Sequence, residues 1–170
     1  MNDVDHLFKI LVFGDGGVGK TSLVRRYTTG LFDKRVKLTI AVEFYSKDVT
    51  YNGNKVRLSI WDFGGEDRFR DFLPAYCRGA SGGIFLFDIT NPSSLHSISD
   101  WMQIINQNAP NAQIIVAGAK IDLEESRSVS AYEAMRLFME FGITGYTEVS
   151  SLTGENIEEL FQNLIALCWK

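Results

Sequence analysis

The sequence predicts an α/β protein with three layers, in which a six-stranded, mostly parallel sheet lies between five helices. Short apolar runs alternate with segments of helical periodicity along the whole chain of 170 residues. Residues 84–87 and 114–117 are continuously apolar, which is typical of parallel strands buried on both faces. Asn52-Gly53 is a strong hairpin signal, so we expect the second and third strands to be antiparallel neighbours. The alternation of predicted strands and helices along the chain favours helices on both faces of one sheet.

The six predicted strands are apolar or alternating runs bounded by turn or cap residues. They cover residues 7–13, about 40–51, 55–62, 84–87, 114–117 and 146–149. The third alternates polar and apolar residues, as a half-buried strand does. Because a chain of this length is of ordinary domain size, we expect residues 1–170 to form a single domain.

Helix starts are marked by capping residues. The first helix is predicted to open around Ser22, and Asn91-Pro92 provides a cap and first position for a second helix that runs on to Ile105. Ser130 and Glu133 have the spacing of a capping box. The last predicted helix places five apolar residues on one face: Ile157, Leu160, Phe161, Leu164 and Ile165. We interpret these apolar stripes as core.

Composition excludes several classes of function. The chain is 45% hydrophobic with a formal net charge of −4, which disfavours general nucleic-acid binding and a polybasic membrane patch. It lacks an apolar run of about 18 residues, so no membrane span is predicted. Cys77 and Cys168 form no metal motif and suggest a reducing compartment, and His6 and His96 are expected at the surface.

The two ends of the sequence bear on localisation. The first residues do not resemble a signal peptide, and Cys168 is misplaced for a prenylation motif. We therefore expect a cytoplasmic protein, peripheral to a membrane if a C-terminal tail is missing from this chain.

The strongest motif follows the first strand. Gly14 to Thr21 fits the phosphate-binding pattern of Gly, four residues, Gly, Lys and Thr. Backbone amides and a helix N-terminus would bind an anion there, Lys20 would contact phosphates, and the Thr21 hydroxyl would ligate Mg²⁺. A purely structural glycine turn is the alternative, which the strand–loop–helix context disfavours. The predicted contacts are Asp15, Gly16, Gly17, Val18, Gly19, Lys20, Thr21 and Ser22.

Four further segments lie beside strand ends, at the edge where ligands bind in parallel sheets. Thr39 precedes the second strand, while Asp62-Phe63-Gly64-Gly65 ends the third. Lys120 and Asp122 follow the fifth strand, and Ser150-Ser151 follow the sixth. Three of the four have a plainer interpretation: Thr39 as a strand-start threonine, Asp62 as a turn or cap aspartate, and Ser150-Ser151 as turn serines.

Together these five segments resemble the Ras superfamily of small GTPases over nearly the whole chain. The likeness is greatest to the Rab family, in residues 39–44, Trp61-Asp62 and residues 66–69, while Phe63-Gly64-Gly65 also looks like the double glycine of the Arf family. The resemblance implies the phosphate-loop NTPase fold of small G proteins and a switch that binds GTP and GDP with Mg²⁺.

The resemblance implies a role for each position. Thr21, Thr39 and Asp62 would hold Mg²⁺, with Thr39 engaging only when a γ-phosphate is present. The backbone N–H of Gly65 would contact the γ-phosphate, so GTP would order two loops and hydrolysis would release them.

The base would be recognised on the other side of the loop. Asp122 would accept hydrogen bonds from the guanine ring N–H and amine, which adenine cannot offer. The Lys120 stem and Phe32 would cover the two faces of the base, unless Phe32 is instead a core residue. The backbone of Ser150, Ser151 and Leu152 would approach the guanine carbonyl.

Three residues depart from the family pattern. Ala119 replaces the asparagine that binds the base and braces the phosphate loop, so we predict binding weakened by about tenfold to a few hundredfold. Glu66 replaces the glutamine that orients water, which predicts slow hydrolysis; a solvated loop charge is the alternative. Leu152 replaces a lysine that supports the base site.

The catalytic residues would be Lys20, Gly65 and Glu66. Gly16 leaves room for an arginine supplied by a partner, whereas Arg35 and Arg68 are candidates by loop position only and fit surface charges better.

The sequence therefore predicts a guanine-nucleotide switch that hydrolyses GTP slowly. A non-catalytic nucleotide-binding module is the alternative from another class, and an adenine-nucleotide kinase or ATPase is a third. Effectors, exchange factors and activating proteins at the loops around Thr39 and Glu66 are what the resemblance implies as partners, with no nucleic acid.

Overall fold

The computed structural model describes residues 3–170 and contains one six-stranded sheet in the order β2-β3-β1-β4-β5-β6. The strands are β1 (His6–Phe13), β2 (Val42–Tyr51), β3 (Asn54–Phe63), β4 (Gly82–Asp88), β5 (Gln113–Ala119) and β6 (Gly145–Val149). β2 is antiparallel to β3, and every other neighbouring pair is parallel. The predicted sheet is confirmed.

Six α-helices occur within residues 3–170, where five were predicted. They are α1 (Lys20–Thr29), α2 (Leu73–Cys77), α3 (Pro92–His96), α4 (Ile98–Asn108), α5 (Ala131–Met139) and α6 (Ile157–Cys168), with 3₁₀ turns at Asp67–Phe72 and Ile121–Ser126. The expected single helix from Pro92 is divided at Ser97. There the Ser97 hydroxyl donates to the carbonyl of Ser94 at 3.1 Å, a local bond that competes with regular helix geometry.

The predicted caps and hairpin are confirmed. Asn91 accepts a hydrogen bond from the N–H of Ser93, and Ser130 accepts one from the N–H of Glu133 at 3.1 Å. Asn52 and Gly53 have φ values of 50° and 78°, as a two-residue hairpin turn with the twist of the strands requires.

One predicted boundary is wrong. The second strand begins at Val42 rather than at Ile40, because Ala41 has a left-handed φ of 59° that interrupts extended backbone. The carbonyl of Ala41 instead accepts the N–H of Gly64 at 2.7 Å, which joins the segment before β2 to the segment after β3.

The core has two parts, one on each face of the sheet. In β1, Ile10 and Val12 pack against α1 and α6, whereas Leu11 and Phe13 pack against the helices of the opposite face. β1, β3, β4, β5 and β6 run in one direction, so their carboxyl ends lie along a single edge. The loops that leave this edge carry the predicted site residues.

Candidate nucleotide-binding site

A cleft of about 400 Å³ opens at the carboxyl edge of the sheet, and all five predicted segments contribute to its wall. The predicted residues on the wall are Gly16, Gly17, Val18, Gly19, Lys20, Thr21, Ser22, Phe32, Thr39, Gly65, Glu66, Lys120, Asp122, Ser151 and Leu152. Asp15, Asp62 and Ser150 do not line it but bond to neighbouring loop residues. The structure therefore brings the predicted residues into one region.

The phosphate loop is fixed by backbone geometry. A Cβ at Gly14 would overlap the carbonyl oxygen of Leu86, so the loop can pass β4 only with glycine at this position. Gly19 is left-handed, with φ of 102°, and α1 begins at the next residue. The N-terminus of a ten-residue helix thus faces the cleft, where its free amides favour an anion.

Lys20 provides a buried positive charge in the same loop. Lys20 is only 6% exposed, and its ammonium donates to the carbonyl of Asp15 at 2.7 Å. Burial lowers the pKa of Lys20 to about 8, although the charges of Asp62 and Asp15 oppose this shift. A phosphate group in the cleft would stabilise the charged form of Lys20, which burial separates from water.

Three oxygen-bearing side chains converge beside Lys20. The Thr21 hydroxyl donates to Asp62 Oδ2 at 2.5 Å and lies 2.7 Å from the Thr39 hydroxyl, which is 3.4 Å from the same carboxylate oxygen. Burial raises the pKa of Asp62 to about 6, against the effect of its hydrogen bond from Thr21 and the charge of Lys20.

This cluster fits a hard divalent cation. Asp62 Oδ1 is buried without a hydrogen-bond partner among the described residues, so one anionic oxygen is available. Two hydroxyls and one carboxylate match the preference of Mg²⁺ for a few protein oxygens plus waters and phosphates.

The other end of the cleft carries the predicted base-binding residues. Asp122 Oδ1 accepts a hydrogen bond from the buried Ser150 hydroxyl at 2.6 Å, and Ser150 Oγ in turn accepts the N–H of Thr153 at 3.1 Å. Arg127 contacts Glu148 at 2.8 Å and thereby ties the Ile121–Ser126 turn to β6. The Ser150 hydroxyl therefore holds the Asp122 carboxylate directly, and the Arg127–Glu148 pair holds the end of the turn that carries it.

Gly65 and Glu66 form the side of the cleft opposite the base end. Gly65 abuts the phosphate loop so closely that a Cβ there would overlap the backbone N of Gly16. Glu66 is ion-paired with Arg68, with Nε and Oε2 2.5 Å apart. The Arg35 and Arg68 side chains are 93% and 68% exposed, which matches the surface location expected of them.

The sequence analysis missed two residues that contact the phosphate loop and one that contacts Lys120. Trp101 donates its indole N–H to Asp15 Oδ1 at 3.0 Å, and Arg70 lies 3.5 Å from the same carboxylate. Asp88 lies 2.7 Å from the Lys120 ammonium. Asp88 had a usable signal, since it is a carboxylate directly at the end of a buried strand, as Asp62 is.

The comparisons with known proteins agree with this geometry. A model described as "Ras family" matches residues 9–170. The human Ras-related protein Rab-30 is 44% identical over 165 residues, covering 96% of this chain and 81% of its own length. Rab-13 from dog is 38% identical over 161 residues, covering 94% and 79%, and human Rab-27B is 36% identical over 180 residues, covering 99% and 82%.

The chain belongs to the Ras family of small GTPases. Among them it is Rab-like, which makes it a GTP-binding GTPase switch with the small G-protein fold. The comparisons give no support to the non-catalytic alternative. Membership in this family argues against the kinase or ATPase interpretation. Within residues 3–170, no helix has the length and apolarity needed to cross a membrane.

Proposed function

We propose that residues 1–170 form a single domain that binds GTP and GDP with Mg²⁺ and slowly hydrolyses GTP to GDP and phosphate. The observation that carries the proposal is the convergence of the phosphate loop, the Thr21–Thr39–Asp62 cluster and Asp122 on one cleft. The first would hold the phosphates, the second Mg²⁺ and the third the base.

The phosphates would lie on the loop amides of residues 15–22. Lys20 would exchange its bond to the Asp15 carbonyl for the β- and γ-phosphates, because a dianionic partner stabilises its buried charge better than a neutral carbonyl. When bound, Mg²⁺ would neutralise phosphate charge. Thr21, Thr39 and Asp62 would hold it.

The base would be selected by Asp122. Its carboxylate can accept both the ring N–H and the exocyclic amine of guanine, and two hydrogen bonds to a charged group are worth about 1.5–3 kcal/mol each. Lys120, Phe32 and Leu152 would cover the base with apolar surface, while the backbone of Ser150 and Ser151 would approach its carbonyl. ATP lacks the donors that Asp122 needs.

Hydrolysis would depend on position and charge. Lys20 and the Gly65 N–H would stabilise the charge that develops on the γ-phosphate. Glu66 lacks the amide donor of a glutamine and adds negative charge near the phosphate, so we expect slow turnover.

Thr39 and Gly65 lie on segments joined through the bond between Ala41 and Gly64. A γ-phosphate bound to both would order both loops, and its loss would release them. Effectors, exchange factors and activating proteins would bind these loops. We propose a cytoplasmic location, peripheral to a membrane if the natural chain carries a C-terminal tail.

The test is competition against a fluorescent GDP analogue, followed by single-turnover conversion of bound GTP. GTP should compete at least about a hundredfold better than ATP. Asp122→Ala should remove most of this preference, whereas Glu125→Ala, an exposed carboxylate on the same turn, should keep it. Equal competition by GTP and ATP in the parent protein would refute the assignment of the base site, and no GDP after many hours would refute hydrolysis.

A further inference from the structure

We propose that Asp88 is a positioning residue of the nucleotide site, which holds Lys120 against the phosphate loop and so supplies the loop support that Ala119 cannot give. The inference rests on the proposed function. It adds a residue that lies outside the five sequence motifs of the site. It is carried by two contacts of Lys120, one to Asp88 at the end of β4 and one to Gly17 in the phosphate loop.

The sheet itself brings the partners together. Asp88 ends β4, and Ala119 opposite it ends β5, so Lys120 leaves the sheet beside the Asp88 carboxylate. The Lys120 ammonium lies 2.7 Å from Asp88 Oδ2 and donates to the carbonyl of Gly17 at 2.8 Å. One side chain therefore connects the end of β4 to the phosphate loop.

Asp88 is held independently of Lys120. Its Oδ1 accepts the N–H of Thr90 at 2.8 Å and the Thr90 hydroxyl at 2.7 Å, and its own N–H donates to the buried Ser94 hydroxyl at 2.9 Å. Its side chain is only 10% exposed. Burial alone would raise its pKa, but the bonds from Lys120 and Thr90 outweigh burial and keep the pKa below its ordinary value. The carboxylate is thus a fixed anion.

The bond to Gly17 matters for the anion site because a trans peptide is planar. Fixing the Gly17 carbonyl also fixes the N–H of Val18, which points the opposite way across the same peptide. Lys120 itself has a left-handed φ of 69°, an unfavourable conformation for a lysine that its two anchored contacts maintain. The methyl group of Ala119 has no donor and can form none of these bonds.

The test compares nucleotide dissociation in Asp88→Asn and Asp48→Asn. Asp88→Asn keeps the shape but removes the charge that holds Lys120, so release of a fluorescent GDP analogue should accelerate by about ten- to a hundredfold. Asp48→Asn removes an ion-paired carboxylate that also lies in the sheet but away from the cleft, with Asp48 on β2 2.6 Å from Arg57 on β3, and should leave release unchanged. The rate of hydrolysis of GTP already bound should change much less than the rate of release, because Lys20 and Gly65 keep their places at the γ-phosphate.

Ala119→Asn tests whether Asp88 substitutes for the missing amide. Alone it should slow release by about tenfold or more. In that background Asp88→Asn should have a clearly smaller effect than in the parent. Thr90→Val, which removes one donor to Asp88, should give a milder acceleration and serves as the second variant if Asp88→Asn fails to fold.

Unchanged release in Asp88→Asn or in a folded Thr90→Val, or equal acceleration in Asp48→Asn, would overturn the role of Asp88. An undiminished effect beside Ala119→Asn would overturn the substitution for the amide. A parent protein that binds no guanine nucleotide would instead refute the proposed function, so the two failures are distinguishable.

Discussion

Replacing Glu66 with glutamine should accelerate hydrolysis of bound GTP. The Glu66 carboxylate lies on the wall of the cleft. Its charge would repel a phosphate oxygen about 4 Å away by ~1 kcal/mol if the pair were in water and by ~4 kcal/mol at a partly buried site. That range corresponds to about fivefold to nearly a thousandfold in rate. Because Arg68 neutralises part of this charge at 2.5 Å, we expect the lower part of the range, about ten- to thirtyfold.

The assay is single-turnover conversion of bound GTP, with nucleotide release measured in parallel. Asp67→Asn is the matched control, because it removes the adjacent carboxylate, whose side chain is 88% exposed, and should change the rate by less than about twofold. Arg68→Gln should move the rate the other way, since it removes the partner of Glu66 and leaves its charge unbalanced.

The reasoning fails if Glu66→Gln is as slow as the parent protein or slower. It also fails if Asp67→Asn accelerates hydrolysis as much, because the effect would then reflect general charge at the loop rather than the position of one carboxylate.

Two further predictions concern stability. Gly64→Ala would place a Cβ 2.6 Å from the carbonyl oxygen of Thr39. A denaturant titration of the nucleotide-free protein should therefore show an unfolding free energy lower by about 2–4 kcal/mol. The control is Gly16→Ala, which should lower it by less than ~1 kcal/mol because no atom lies within 4 Å of the new Cβ. Glu148→Gln should cost about 1–3 kcal/mol at neutral pH, because it weakens the bonds from Arg127. Those bonds hold the pKa of Glu148 below its ordinary value despite burial, so the stabilisation exists above that ordinary value, about pH 4, and the difference between variant and parent should shrink as pH falls below it.

Much of the fold was predictable because its signals are local. Alternation at residues 55–62, the caps at Asn91 and Ser130 and the Asn52-Gly53 turn each specify nearby backbone. The break at Ser97 was not predictable, because helical periodicity continues through it.

The location of the candidate site was also predictable from the sequence. Four of the five motifs follow a strand, and Thr39 precedes the antiparallel β2, which starts opposite the carboxyl end of β3. Because parallel strands gather their carboxyl ends, the common location of these segments follows from the strand order and the predicted hairpin. The supporting contacts were not, since Trp101 lies 86 residues from Asp15 and their pairing depends on how α4 packs against the sheet. The left-handed Ala41 was missed as well, because alanine carries no signal for that conformation.

The bond between Trp101 and Asp15 gives the protein a built-in optical reporter. The indole ring is fully buried in the core, and only its N–H reaches a loop that would surround the phosphates. Any rearrangement of that loop alters the electrostatic surroundings of the chromophore. Nucleotide exchange should therefore be visible as a change in intrinsic emission without any attached dye.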